Sequence, residues 1–169
     1  MRSGNDPVAK RRACAILITS DRAASGVRPD ETTPLLRNEL EQNGFDVRYE
    51  VVVPDDRIAI KNALDEWIGE QIDFVVVSGG SGVAPTDVTP DVTLEIIDRR
   101  IPGMEEAMRR VSLEHTPFAM LSRGVVGVAR QTLIANVPGS PRGAVENLRV
   151  IAPALGHAIE LIHGGKPDK

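Results

Sequence analysis

Short β-branched apolar runs alternate along this chain with longer stretches whose apolar residues recur three and four apart. The runs predict strands and the stretches predict helices. Ala13–Thr19 predicts a first strand buried on both faces, followed by a polar loop, Ser20–Gly26. Thr33-Pro34 starts a helix with Leu35, Leu36 and Leu40 on its apolar stripe, and Gly44 ends it. Asp46–Val53 predicts a second strand. Pro54-Asp55-Asp56 starts a helix whose core positions are Ile58, Ile60, Ala63, Leu64, Trp67 and Ile68. One of the two aspartates suffices to cap that helix, which leaves the other available for other work. Phe74–Val77 predicts a third strand, Thr89–Arg99 a helix, and Ile101-Pro102-Gly103 a break. Met104–Leu113 predicts a further helix, and Phe118–Leu121 and Gly124–Ala129 short extended segments. Gln131–Val137 predicts another strand, and residues from about Gly143 to Ile162 a last helix, with Ser140 as its cap and Pro141 at its first turn.

Strands alternating with helices imply an α/β domain with a mainly parallel sheet, helices on both faces and right-handed crossovers. Residues 13–163 read as one folded unit, without internal repeat or linker, between an N-terminal tail at 1–12 and a C-terminal tail at 164–169. In such sheets ligands bind beyond the C-terminal ends of the strands. Three loops gather there, Ser20–Gly26, Ser78–Asp91 and Pro138–Gly143, and Asp55 follows a fourth strand end.

The stretch Ser78-Gly79-Gly80-Ser81-Gly82 stands between a strand and a helix start, with Thr89 as the cap candidate and Pro90 at the first helical position. Glycines permit positive φ and close approach of a ligand. Successive N–H groups in such a turn, beside a helix N-terminus, make an anion-binding concavity. Asp87 and Asp91 adjoin it. A carboxylate about 4 Å from a phosphate is repelled by roughly 4 kcal/mol at an effective dielectric of about 20. A cation such as Mg²⁺ between them reverses that sign. The pattern therefore points to a phosphate together with a metal.

Composition narrows the classes. The chain of 169 residues carries a formal net charge of −4, and its basic block is only Lys10-Arg11-Arg12, which argues against nucleic acid as a partner. Aromatic content is low, so Val, Ile, Leu and Ala fill the core. The single cysteine, Cys14, excludes an internal disulfide and a multi-thiolate metal site within one chain. No apolar stretch is long enough to span a bilayer, and Ala13–Thr19 does not resemble a signal peptide, so the expected location is the cytoplasm.

The glycine loop is not a Walker loop, since no Gly-Lys-Ser/Thr follows, nor a Gly-x-Gly-x-x-Gly fingerprint. Gly139-Ser140-Pro141-Arg142-Gly143 is not a nucleophile elbow, its serine being one place too early. His115, His157 and His163 lack metal-binding spacing. Arg109, Arg110, Arg123 and Arg142 are candidate phosphate clamps, with Arg109 and Arg110 together reading as a solvated or intersubunit face.

Ser20-Asp21-Arg22, Pro54-Asp55, Gly79-Gly80-Ser81-Gly82, Asp87-Val88-Thr89-Pro90-Asp91, Ser122-Arg123 and Pro138-Gly139-Ser140-Pro141 occur in an order that resembles the MogA/MoaB family of molybdenum-cofactor biosynthesis proteins. The match covers nearly all of Ala13–His163. The stretch Thr116–Arg123 also resembles the G domain of the gephyrin type of plant and animal fusion proteins.

The resemblance implies a three-layer α/β/α domain, usually a homotrimer, and a molybdopterin adenylyltransferase that uses ATP and Mg²⁺. Its product passes to a separate molybdate-inserting protein. By resemblance, Asp55 and Asp87 match the two essential acidic positions, and in the expected mechanism they hold Mg²⁺, directly or through water. Gly79, Gly80, Ser81 and Gly82 match the loop that holds the pterin and phosphate region. Ser20, Asp21, Pro138, Gly139, Ser140 and Pro141 match positions lining the nucleotide and substrate cleft, and Ser112 matches a serine associated with molybdopterin binding. The family usually has threonine where Ser81 stands; the hydroxyl survives, the methyl is lost, and a somewhat looser loop is expected. The alternative is a MoaB-like protein that binds molybdopterin without adenylylating it; retention of both acids favours the enzyme. Nucleotide pyrophosphatase chemistry ranks last, because the chain lacks the extra domain of competence-damage proteins.

Overall fold

The computed structural model describes residues 11–166, so most of the expected N-terminal tail and half of the C-terminal one lie outside it. The strand runs form one six-stranded sheet from β1 (Arg12–Thr19), β2 (Phe45–Val53), β3 (Phe74–Ser78), β4 (Arg99–Arg100), β5 (Val126–Ala129) and β6 (Thr132–Val137). Its order is β2-β1-β3-β6-β5-β4. The first four are mutually parallel, while β5 and β4 add antiparallel at the far edge.

The side-chain alternation of the strands divides the core into two layers. Cys14, Ile16 and Ile18 of β1 and Phe74 and Val76 of β3 face one way. There they meet α2 (Thr32–Gln42), α5 (Pro102–Leu113) and the long α6 (Pro141–Ile162). Ala13, Ala15, Leu17, Val75 and Val77 face the other way, onto α3 (Arg57–Gly69) and α4 (Thr89–Ile96). Two helical layers thus enclose the sheet, and β1 and β3 are apolar throughout because both their faces are covered. Each large side chain so buried contributes about 1.5–3 kcal/mol. Cys14 is fully buried, and desolvation first, then the charges of Asp46 and Asp73, push its thiol up to about 12. No described helix is long and apolar enough to cross a membrane.

Several elements differ from the expectation, each for a local reason. The first strand begins at Arg12, one residue inside the expected tail, where Arg12 pairs with Phe45 and forms an ion pair with Glu160. A short helix, α1 (Asp21–Ala24), interrupts the loop after β1 because the Ser20 side chain caps it. Helix α2 starts one residue early, since Asp30 accepts from the Thr32 and Thr33 amides. The helix opening at Val88 uses that residue, not Thr89, as its cap, and Thr89 is buried beside Thr19. It ends at Ile96, not Arg99, because the Asp98 amide bonds to the Val128 carbonyl and diverts the chain into β4. Pro102 opens α5 and does not merely break the preceding helix. Residues Pro117–Leu121 form a 3₁₀ turn in place of an extended segment, with Thr116 accepting from the Phe118 amide.

Candidate active site

The parallel strands β1, β3 and β6 bring the ends Thr19, Ser78 and Val137 side by side, and the loops that follow them touch. Gly79 sits at φ +109, where an added Cβ would lie 2.2 Å from the Thr19 carbonyl oxygen. Only glycine fits that conformation and that space. A Cβ on Gly139 would lie 3.2 Å from the Gly79 Cα, so the two glycine loops meet backbone to backbone. The Ser78 hydroxyl donates to the Pro138 carbonyl at 2.8 Å and ties them together.

These joined loops form a wall between two lobes of a cleft. The smaller lobe, about 170 Å³, is lined by Ser20, Asp55, Gly79, Gly80 and Asp87, with Gly139 and Pro141 on the partition. The larger, about 460 Å³, is lined by Ser81, Gly82 and Ser112, with Pro138 and Ser140 on the partition. Residues of one loop therefore serve opposite sides. Among the described residues, the carbonyls of Gly80, Ser81 and Gly82 accept bonds from Thr89 N, Arg123 N and Arg123 Nε. Their own N–H groups have no acceptor among the described residues. The loop is anchored through its oxygens and offers its donors, which is the arrangement an anion requires.

The acidic positions are built with equal economy. Asp56 accepts from the Ala59 amide and caps α3, which leaves Asp55 uncommitted to the helix. Asp55 Oδ2 accepts from the Asp21 amide at 3.1 Å, and Asp21 Oδ1 accepts from the Asp55 amide at 2.9 Å. This reciprocal pair joins the ends of β1 and β2. Asp21 lines neither lobe; its contact is with Asp55. Asp55 Oδ1 faces the glycine loop, 3.1 Å from where a Gly80 Cβ would be. Desolvation first, then the charges of Asp21 and Asp87, raise the Asp55 carboxyl above its ordinary range, against the lowering pull of the Asp21 amide bond. Asp87 Oδ2 accepts from the Ala84 amide at 2.9 Å.

Asp91 does not join this pair. Its carboxylate takes Nη1 of Arg123 at 3.0 and 3.2 Å and Nη2 at 3.1 Å, and the Arg123 bond first of all holds it below the usual carboxylate range. Arg123 is thus committed as well and is not a free phosphate clamp. Arg109 is also not a solvated face residue: it lines the larger lobe, donates to the Gly124 carbonyl and lies 3.5 Å from the buried carboxylate of Glu105. Ser112 accepts from Asn147 Nδ2 at 2.8 Å in the wall of that lobe. His115, Phe118, Ser122, Arg142 and Glu146 also line it. The residues missed from the sequence, Asp30 beside the smaller lobe and Asn147 in the larger, carry no local motif. Only the cap position of Asp30, two residues before Thr32, could have marked it.

An open α/β sheet with a two-lobed, glycine-walled cleft at its strand ends, richer in acids in the smaller lobe, has its cleft where such sheets bind ligands. Comparison with known proteins identifies the family. A family described as a probable molybdopterin binding domain matches residues 15–157. The molybdopterin adenylyltransferase of Escherichia coli K12 is 39% identical over 149 residues, covering 86% of this chain and 75% of that protein. The molybdenum cofactor biosynthesis bifunctional protein of Chlorobaculum tepidum is 37% identical over 150 residues; the match takes in 89% of this chain but only 48% of that protein's length. The crystal structure of the molybdopterin biosynthesis enzyme MoaB of Thermus thermophilus superposes with a TM-score of 0.86 at 45% identity, covering 94% of this chain and 99% of that one. The chain belongs to the molybdopterin-binding domain family.

Proposed function

We propose that this protein is a molybdopterin adenylyltransferase of molybdenum cofactor biosynthesis, acting in the cytoplasm. The observation that carries the reading is the glycine loop between the lobes, with donors free and carbonyls tied, facing Asp55 and Asp87 on the smaller side. A lobe of about 460 Å³ suits a ring system and the smaller acidic lobe suits a phosphate chain.

The residues present fit Mg²⁺. Asp55 and Asp87 line the same lobe, and each has one carboxylate oxygen engaged by a backbone amide; among the described residues the second oxygen of Asp55 has only the Thr19 hydroxyl beside it. Among the described residues no three ligating side chains form a closed metal cage. Mg²⁺ in nucleotide sites takes one or two carboxylates and completes its octahedron with water and phosphate oxygens. Asp55 and Asp87 would hold it, and when bound it supplies charge neutralisation at the phosphates.

The remaining chemistry belongs to the chain. An oxygen of the terminal phosphate of molybdopterin attacks the α-phosphorus of ATP. The bond from that phosphorus to the bridging oxygen breaks, and pyrophosphate leaves with the electron pair. No covalent protein intermediate is required, so catalysis is positioning and charge stabilisation. The amides of Gly80, Ser81 and Gly82 hold the phosphate oxygens between the lobes. The α6 N-terminus at Ser140–Pro141 adds positive partial charge. Arg109 and Arg142 line the larger lobe, each already paired with a carboxylate, Glu105 and Glu146 respectively, so they add little free positive charge there. The trimer that the resemblance implies has apolar surface available to it at Phe118 and Met120, 75% and 70% exposed. The adenylylated product would pass to a molybdate-inserting partner.

Pyrophosphate release from ATP, Mg²⁺ and molybdopterin tests the reading. Asp55→Asn and Asp87→Asn should each lower turnover by about two orders of magnitude or more while molybdopterin affinity changes little. Tight pterin binding without pyrophosphate release by the unsubstituted protein would make it a binding module, and near-normal rates in both variants would remove the acids from the mechanism.

A further inference from the structure

Arg123 lies outside both lobes, yet more of the acidic loop depends on it than on any neighbour in the chain. Its backbone amide donates to the Ser81 carbonyl at 2.8 Å. Its Nε donates to the Gly82 carbonyl at 2.7 Å, and its Nη2 to the Asp87 carbonyl. Both Nη atoms grip the Asp91 carboxylate in the first turn of α4. One planar fork therefore fixes the loop at its start, at the residue that bears the acid, and at the helix that follows. Among the described residues, the side chain of Asp87 has only the Ala84 amide, within the same loop, to orient it. The next residue back along the chain, Ser122, lines the larger lobe.

We propose that Arg123, braced by Asp91, is a positioning residue that holds Asp87 at the mouth of the smaller lobe and couples that acid to the wall of the larger one. It touches no substrate; it acts by fixing the backbone from which Asp87 projects. The role requires the fork. A lysine ammonium can reach one of these acceptors but cannot satisfy two carbonyls and a bidentate carboxylate in one plane. This inference rests on the reading of Asp87 as a catalytic acid, and its test separates the two.

Amide hydrogen exchange on the full chain, free of ligand, reads the positioning directly. Arg123→Lys should raise exchange within residues 82–87, at the hydrogen-bonded amides of Ala84 and Asp87, by about tenfold while β3 and α6 keep wild-type protection. In the pyrophosphate assay Arg123→Lys should lower kcat by about tenfold or more and raise the Mg²⁺ concentration for half-maximal rate, with molybdopterin affinity within about twofold of wild type. Asp91→Asn should reproduce most of this effect, and the double variant should be far from additive. Added guanidinium should partly restore Arg123→Ala. Unchanged exchange at residues 82–87 overturns the proposal, and so does raised exchange with unchanged kcat and Mg²⁺ dependence in an active enzyme. If the unsubstituted protein releases no pyrophosphate, the adenylyltransferase reading fails and the exchange result alone decides whether Arg123 holds the loop.

Discussion

Replacing Gly80 by alanine attacks the site where its geometry is tightest. Gly80 sits at φ +56, in the left-handed region. An alanine there costs about 1–2 kcal/mol for the backbone alone. Its Cβ would stand 2.6 Å from Thr89 Oγ1, 3.1 Å from Asp55 Oδ1 and 3.2 Å from Thr19 Oγ1. Thr89 is fully buried and its hydroxyl is 3.2 Å from that of Thr19, so neither can swing away into solvent. Overpacking of this kind adds about 1–3 kcal/mol. The sum, about 2–5 kcal/mol, is a large part of the roughly 5–15 kcal/mol that holds a domain folded. For a chain of this size it corresponds to a fall in Tm of about 5–15 °C. Gly82→Ala is the matched comparison. Its backbone is not left-handed, and its Cβ would meet only the Asp87 carboxylate, with Oδ2 at 2.8 Å, at the end of a half-exposed side chain that a single bond from the Ala84 amide holds. That variant should stay within about 1 kcal/mol of wild type in urea unfolding, yet lose about tenfold or more in turnover as the acid is displaced. A Gly80→Ala protein with wild-type unfolding, or a Gly82→Ala protein as unstable as Gly80→Ala, would show that the loop packing is not what constrains this site.

Two further outcomes follow from the charges. Because Asp55 titrates above its ordinary value of 3.8, the folded state binds its proton more tightly than the unfolded chain does. Stability is therefore lost as pH rises from that value through the folded pKa. Asp55→Asn, which keeps an acceptor for the Asp21 amide, should be more stable than wild type at about pH 7 and no more stable at about pH 3, as read from urea midpoints. Glu105, 1% exposed, behaves oppositely. Burial pushes its carboxyl up, but the Arg100 hydrogen bonds, the Val126 amide and the Arg100 and Arg109 charges outweigh that and hold it below 4.5. Its contribution is present above that value and is lost as pH falls through the lower folded pKa. Glu105→Gln should cost about 3 kcal/mol at neutral pH and flatten the acid limb of the unfolding curve; an unchanged acid limb would exclude Glu105 as its source.

What could be read from the sequence was what depends on near neighbours. The β-branched runs placed β1, β2, β3 and β6, and paired aspartates at 55 and 56 announced one cap and one spare acid, as the Asp56–Ala59 bond shows. Ser140 likewise caps α6. Contacts across long sequence separation were not legible. Nothing near Arg123 in the chain signals that its guanidinium spans to Gly82, Asp87 and Asp91, 32 to 41 positions away. Nor does anything beside Asp21 signal its pairing with Asp55, 34 positions on. Asp91 looked like a second cation ligand because its partner lies on another segment. The fold brings β5 and the 3₁₀ turn beside the glycine loop, and only that juxtaposition reveals which charges are already satisfied.

The buried thiol of Cys14 has a practical consequence. At a pKa of about 12 it exists as thiolate in about one molecule in a hundred thousand at pH 7, and no solvent reaches it. The natural chain therefore has no competing target for maleimide chemistry in its native state. A cysteine introduced at Val83, 62% exposed on the acidic loop, would be the sole reactive handle without further engineering. A fluorophore or spin label placed there would report movement of that loop in real time as nucleotide is added.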